Sequence, residues 1–176
     1  MQRVYIVQYE VKEYIDKYVE TSPEKPKKCC HCGCQKFHWW GKYERYVVDA
    51  DAEYTISVRR VCCVKCGRTQ SYLPDFCLSR KAYTFKFVMM LLELLLRFGR
   101  LYSESMARQI YRYKRRFVDK RVMFVTFLRG RGTFQTMPSE PKEKINTIFN
   151  ALVSLHQHRN LADAFLTDTG QHFLAK

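Results

Sequence analysis

The chain has 176 residues, of which 47% are apolar and 27% charged, and its 31 Lys+Arg against 17 Asp+Glu give a formal net charge of +14. The apolar share excludes global disorder, and the length allows one ordinary domain or two small ones. The charge is uneven: residues 82–135 carry 12 Lys+Arg against 3 Asp+Glu and so supply +9 of the +14, a concentration whose usual partners are nucleic acid or an anionic membrane surface.

The N-terminal stretch "MQRVYIVQYEVKEYIDKYVE" is interrupted by charges every few residues and lacks an apolar core with a small-residue cleavage site, so it does not read as an export signal. Residues 1–28 are set apart as an N-terminal segment, and the expected location is cytoplasmic. In a reducing compartment the eight cysteines read as metal ligands before disulfides.

Cysteines cluster in "CCHCGC" (29–34) and "CCVKCG" (62–67). Two C-x-x-C pairs followed by glycine stand out, Cys29/Cys32 before Gly33 and Cys63/Cys66 before Gly67. In a zinc knuckle the chain turns tightly under the metal, and a residue free to take positive φ is favoured just past the second ligand. Pairs built on Cys30, Cys34 or Cys62 lack the two-residue gap or the glycine. The expected site is one structural Zn²⁺ per chain held by Cys29, Cys32, Cys63 and Cys66, closed and tetrahedral. His31 and His38 are not needed as ligands.

Between the pairs, "KFHWWGKYERYVV" (36–48) and "EYTISVRRV" (53–61) are rich in aromatic and β-branched residues and are separated by "DADA" (49–52), which predicts a hairpin. With "TQSYL" (69–73) as a third strand, 29–73 becomes a zinc ribbon, and Pro74 ends it. Phe37, Trp39 and Trp40 read as hairpin packing, with base stacking as the alternative.

From Ala82 to Phe98 nearly every position is apolar. "FVMMLLELLLRF" (87–98) is too short for a bilayer and contains Glu93 and Arg97, so a helix buried on most of its circumference is expected. "GRLYS" (99–103) breaks it, with Gly99 suited to a helix C-terminus and Ser103 to the next N-cap. The following helix, 104–117, places Met106, Ile110, Tyr113 and Phe117 on one face and Arg108, Arg112 and Arg115 opposite, with Ser105, Gln109 and Arg116 beside them. That spacing suits a recognition helix: Arg reads guanine, Gln reads adenine, and flanking cations grip phosphate. Lys120, Arg121, Arg129 and Arg131 continue the positive charge over 118–132. Residues 133–144 read as a linker. Beyond it Ile145, Ile148, Phe149, Leu152 and Leu155 recover helical spacing, for a tail helix packed on its own domain or, alternatively, docking a partner.

The stretches "CCHCGCQKFHWWGKYERYV", "RRVCCVKCGRTQSYLPDF", the apolar helix and "YRYKRRF" together resemble the zinc ribbon plus helix-turn-helix region of bacterial insertion-sequence transposases and of short proteins associated with such elements. The resemblance covers roughly 27–130. The family pattern has proline after the first cysteine and a basic residue before the third, where this chain has Cys30 and Cys62. The resemblance implies DNA binding in the service of a mobile element or a derived regulator, and a bacterial, nucleoid-associated setting. It does not imply catalysis, because no acidic-triad domain, phosphate-cradling glycine loop or nucleophile motif is present, and Asp163 and Asp168 lie in a short tail without strand patterning.

The expected fold is therefore α+β: a small β zinc ribbon (29–76), an all-α helix-turn-helix unit (77–132), and a linker with a helical tail (133–176). The expected function is sequence-specific binding of double-stranded DNA without enzymatic activity, through Ser105, Arg108, Gln109, Arg112, Arg115, Arg116, Lys120 and Arg121. A homodimer and a separate recombinase or transposase subunit stand as further partners, and no membrane does. Two alternatives are an interaction adaptor that docks through the ribbon, and a binder of single-stranded RNA stacking bases on Trp39, Trp40 and Tyr43.

Overall fold

The long hairpin follows from its residues. In a computed structural model describing residues 2–7, 9–79, 81–99, 104–133, 136–156, 161–170 and 173–174, with no account of the side chains of 104–106, 156, 162, 163 and 166, β2 (Phe37–Val48) and β3 (Glu53–Cys63) pair antiparallel from Phe37↔Cys63 to Val48↔Glu53. The Asp49 N–H donates to the Ala52 carbonyl at 3.0 Å and closes the loop. The register shifts between Trp39 and Lys42, where Gly41 takes φ 77°. A bulge of this kind re-aims the side chains beside it and keeps a long edge strand from templating another chain.

Two elements from the N-terminal segment complete this region. β4 (Thr69–Pro74) pairs antiparallel with β3, and β1 (Gln2–Tyr5) pairs parallel with β4, giving a four-stranded mixed sheet of order β1-β4-β3-β2. α1 (Val11–Asp16) lays Val11 and Tyr14 on the sheet, in a core with Val7, Val47, Ile56, Val58, Leu73 and Cys77. Tyr14 is fully buried, and its hydroxyl donates to the Ser57 carbonyl at 2.9 Å while accepting from Tyr5 at 3.2 Å. The apolar core thus sits toward the closed end of the hairpin, and Cys29, Cys32, Cys63 and Cys66 lie at its open end.

The second region is helical. α2 (Phe85–Phe98) buries Phe85, Phe87, Val88, Met89, Leu91, Leu92 and Leu95, so most of its circumference is covered, as the near-continuous apolar run requires. α3 (Glu104–Asp119) buries Ile110, Tyr113 and Phe117; the side chain of Met106 and the break at 100–103 lie outside what the structure describes. Only Lys120 separates α3 from α4 (Arg121–Gly130). α5 (Pro141–His156) starts with a proline at its first position and has its first turn capped by Glu140, whose carboxylate accepts the Glu143 N–H at 2.7 Å. α6 (Leu161–Thr169) follows. Phe124 is the hub of the core, with the rings of Phe117, Phe165 and Phe173 each 5.0 Å from its own. Ile148, Phe149 and Leu152 of α5 are buried in this same unit.

The chain divides into two compact units, Met1–Thr84 and Phe85–Lys176. The expected N-terminal segment and ribbon belong to one unit together with 77–84 of the expected helix-turn-helix span, and the rest of that span shares the other unit with the expected tail. The architecture is α+β, with a mixed sheet and six helices among the described residues. No helix among them is long and apolar enough to cross a membrane.

Candidate metal centre and nucleic-acid interface

The two cysteine knuckles repeat one backbone pattern. In the first, the Cys29 N–H donates to the Cys34 carbonyl at 2.8 Å and the Gly33 N–H returns to the Cys29 carbonyl at 2.9 Å. In the second, Cys63 donates to Arg68 at 3.0 Å and Gly67 to Cys63 at 2.9 Å. Gly33 and Gly67 close these loops at φ 70° and 66°, a conformation L side chains rarely adopt. The glycines therefore fix which cysteines converge. The Val64 N–H bonds the Lys36 carbonyl at 3.1 Å, tying the second knuckle to the start of β2.

Cys29, Cys32, Cys63 and Cys66 have their sulfurs all within 4.8 Å of one another and are positioned to bind one metal ion. Cys29 Sγ lies 3.8 Å from Cys66 Sγ, and Cys32 Sγ 3.5 Å from Cys63 Sγ. Backbone hydrogen bonds from His31 and then Cys32 hold the Cys29 thiol down to about 6. At Cys32 a backbone bond from Cys34 also favours the thiolate, but burial and the neighbouring sulfurs outweigh it and push the thiol up to about 12. The shifts differ in sign because backbone donors dominate at Cys29, whereas burial and the neighbouring sulfurs dominate at Cys32.

The remaining thiols stand apart. Cys30 is exposed, Cys34 accepts the Lys36 N–H at 3.4 Å, and Cys62 directs its sulfur to the Gly67 carbonyl at 3.3 Å. Cys77 is buried in the apolar core, which pushes its thiol up to about 12. His31 and His38 are exposed and outside the cluster.

On α3 the periodicity sorts the side chains cleanly. Arg108, Arg112 and Arg115 are exposed, opposite the buried Ile110, Tyr113 and Phe117. None of the three arginines has a carboxylate partner among the described residues. Their companions are partly committed elsewhere. Gln109 donates to the Tyr113 hydroxyl at 2.9 Å, Arg116 to the Leu174 carbonyl at 3.1 Å, and Arg121 to the Val118 carbonyl at 3.1 Å. Partial burial and then Arg116 lower the pKa of Lys120. Arg129 is exposed, while Arg131 makes a two-pronged bond to Asp168 at 3.0 and 2.7 Å. The side chains of Ser105 and Asp163 lie outside the described residues.

The aromatic residues of the hairpin do not share one role. Tyr43 packs against the core, whereas Trp39 and Trp40 are 38% and 52% exposed. Trp40 meets His38 edge-on at 5.5 Å. Sequence reasoning assigned these tryptophans to packing because it had no register from which to see that β2 is an edge strand.

Residues 29–113 match the model of a family described as a domain of unknown function, DUF6431, a span just under half of the chain. No curated protein and no solved structure matches. The matched span begins after α1 and ends within α3, so it takes in both knuckles and the three exposed arginine positions' first two, Arg108 and Arg112.

Proposed function

We propose that the protein is a zinc-dependent, non-enzymatic binder of double-stranded DNA, in which 29–76 acts as a zinc ribbon and α2 and α3 act as a helix-turn-helix unit with α3 as the recognition helix. One observation carries the reading: three arginines with no carboxylate partner among the described residues project from one face of a helix whose opposite face is buried. A helix so presented fits a major groove, where arginine reads guanine in bidentate fashion. The resemblance to insertion-sequence transposases supports this reading and suggests service to a mobile element or a regulator derived from one.

Zinc is the metal the donor set favours. Four sulfurs at about 2.3 Å from a tetrahedral centre stand about 3.8 Å apart along each edge, and the Cys29–Cys66 and Cys32–Cys63 pairs here are 3.8 and 3.5 Å apart. Soft thiolates select zinc over the hard oxygen-seeking cations. Cys29, Cys32, Cys63 and Cys66 would hold it, and four protein ligands leave no position for a substrate, so the ion supplies folding rather than chemistry.

Binding to a selected duplex and to random duplex, measured across a salt series, tests the reading. Arg108→Ala or Arg112→Ala should cost about 1–3 kcal/mol and relax the sequence preference. Arg129→Ala should weaken both duplexes alike and reduce the slope of log affinity against log salt by about one. Unchanged duplex affinity in all three variants would remove α3 from the interface.

A further inference from the structure

Around the bulge of β2, side chains distant in sequence converge in an alternating series of cations and rings. Lys42 Nζ lies 5.6 Å from the centre of the Tyr18 ring, and the Arg59 guanidinium lies 4.7 Å from the same ring and 6.0 Å from Trp39. Lys25 Nζ sits 5.8 Å from the centre of the Trp39 ring. The order is thus Lys42, Tyr18, Arg59, Trp39, Lys25. Among the described residues none of the three cations has a carboxylate within ion-pair distance. Arg59 is under-used as a donor: its Nη2 reaches the Tyr18 carbonyl at 3.4 Å, and its Nε has no partner. Lys25 and Lys42 are exposed, and Trp39 keeps more than a third of its surface open.

Packing alone does not account for this arrangement. A tryptophan recruited for a core is covered by apolar neighbours, whereas Trp39 stays 38% exposed and has, besides the Tyr72 ring at 6.1 Å, two cations within 6.0 Å of its centre. Two rings with positive charge before, between and after them suit a flexible polyanion whose repeating unit carries one flat base and one phosphate. Base–aromatic stacking supplies sequence-tolerant affinity, and the interleaved cations take the backbone. Duplex DNA keeps its base faces stacked on one another and has none to offer.

We propose that this strip is a stacking platform for single-stranded DNA. An unpaired base lies on Trp39, moving the Lys25 ammonium from the Phe37 carbonyl, to which it donates at 3.3 Å, onto a neighbouring phosphate, and Arg59 and Lys42 track the backbone toward Tyr18. The choice of DNA over RNA rests on the proposed duplex-DNA function. The platform is otherwise independent of α3, so the chain has the parts to engage a site where duplex gives way to an unpaired strand.

The test uses the full, zinc-loaded chain. The sequence has two tryptophans, so Trp40→Phe leaves Trp39 as the sole indole reporter. Oligo(dT) of about twelve nucleotides should quench its fluorescence. Trp39→Ala should weaken oligo(dT) binding about tenfold, the loss expected for one stacked base. Lys42→Glu, a change on an exposed side chain, should do the same with zinc content and circular dichroism unaltered. Neither variant should alter duplex affinity, and Arg108→Ala should show the reverse pattern. No binding of oligo(dT), no quenching, or unchanged affinity in Trp39→Ala and Lys42→Glu would overturn the platform. Binding of oligo(U) or poly-glutamate as tight as that of oligo(dT) would overturn DNA as its occupant. Loss of duplex binding alone would strike the α3 reading and leave the platform standing.

Discussion

The two units solve the problem of a small core in different ways. Met1–Thr84 gathers Val7, Val11, Tyr14, Val47, Ile56, Val58 and Leu73 in one core, while four converging thiols lie at the open end of the hairpin. Phe85–Lys176 has no comparable cysteine cluster among its described residues and is centred on interlocking phenylalanines around Phe124. One unit is therefore divided between an apolar core and a thiol cluster positioned to bind one metal ion, and the other is centred on side-chain packing. Small domains bury too little surface to be generous with stability, so the loss of either device should be felt locally and strongly.

Removing the metal is the most severe way to break the comparison. Structural zinc contributes on the order of 10 kcal/mol in small modules, so chelation or Cys63→Ser should release the knuckles. Hydrogen exchange should then accelerate at 29–36 and 62–68 while the amides of α4 keep their protection. Cys30→Ser and Cys62→Ser should retain one metal per chain, because neither sulfur belongs to the cluster. Metal loss in Cys62→Ser with retention in Cys63→Ser would show that the glycines do not fix the register.

Breaking the other side should produce the mirror image. Phe124→Ala removes a fully buried ring with three neighbours at 5.0 Å and should cost about 3–5 kcal/mol. Thermal melting should show the helical signal lost early, while metal analysis still finds one ion bound. Simultaneous collapse of both signals would mean that the two units fold as one cooperative block.

The smallest effect concerns the sheet's apolar end and has a pH signature. Burial, then the hydrogen bond with Tyr5, raises the Tyr14 pKa above its ordinary value of 10.0. A raised folded-state value means that the stabilisation is complete below pH 10 and is lost as pH climbs past it. Tyr14→Phe should cost about 1 kcal/mol at pH 8 through the lost bond to Ser57, and it should flatten the fall in stability between pH 10 and 11. Urea melts across that range would measure both. Tyr5 is raised as well, and Tyr54, bonded to Asp51, is pushed up to about 12, so the variant should reduce the alkaline slope without abolishing it.

How far the sequence foretold each unit depended on how local the determining interactions are. The knuckles were legible because a two-residue gap and a following glycine state a complete geometric requirement within five residues. The hairpin and α2 announced themselves by alternation and by an unbroken apolar run. β1 did not, since "QRVY" is too short to have a periodicity and becomes a strand only through pairing with residues 71–74. α4 was hidden for another reason: the arginines around Phe124, Phe127 and Leu128 drew attention to charge, yet those three apolar residues are the ones buried. The partial burial of Tyr43 and the exposure of its neighbours Trp39 and Trp40 depend on an edge position and a bulge, neither of which is written in residue type.

The parallel pairing of β1 with β4 also dictates an order of events as the chain is made. Gln2 emerges from the ribosome long before its partner Ser71 exists, and synthesis proceeds at about 5–20 residues per second. For several seconds the N-terminal strand must wait with its hydrogen-bonding edge unfilled, while the β2–β3 hairpin can zip locally behind it. Closing the sheet is then the long-range step, slow by virtue of the sequence separation it spans. A bulky fusion placed directly before Gln2 would act on that waiting strand rather than on the finished fold, and its mark should be poor yield during synthesis with ordinary stability in whatever molecules mature.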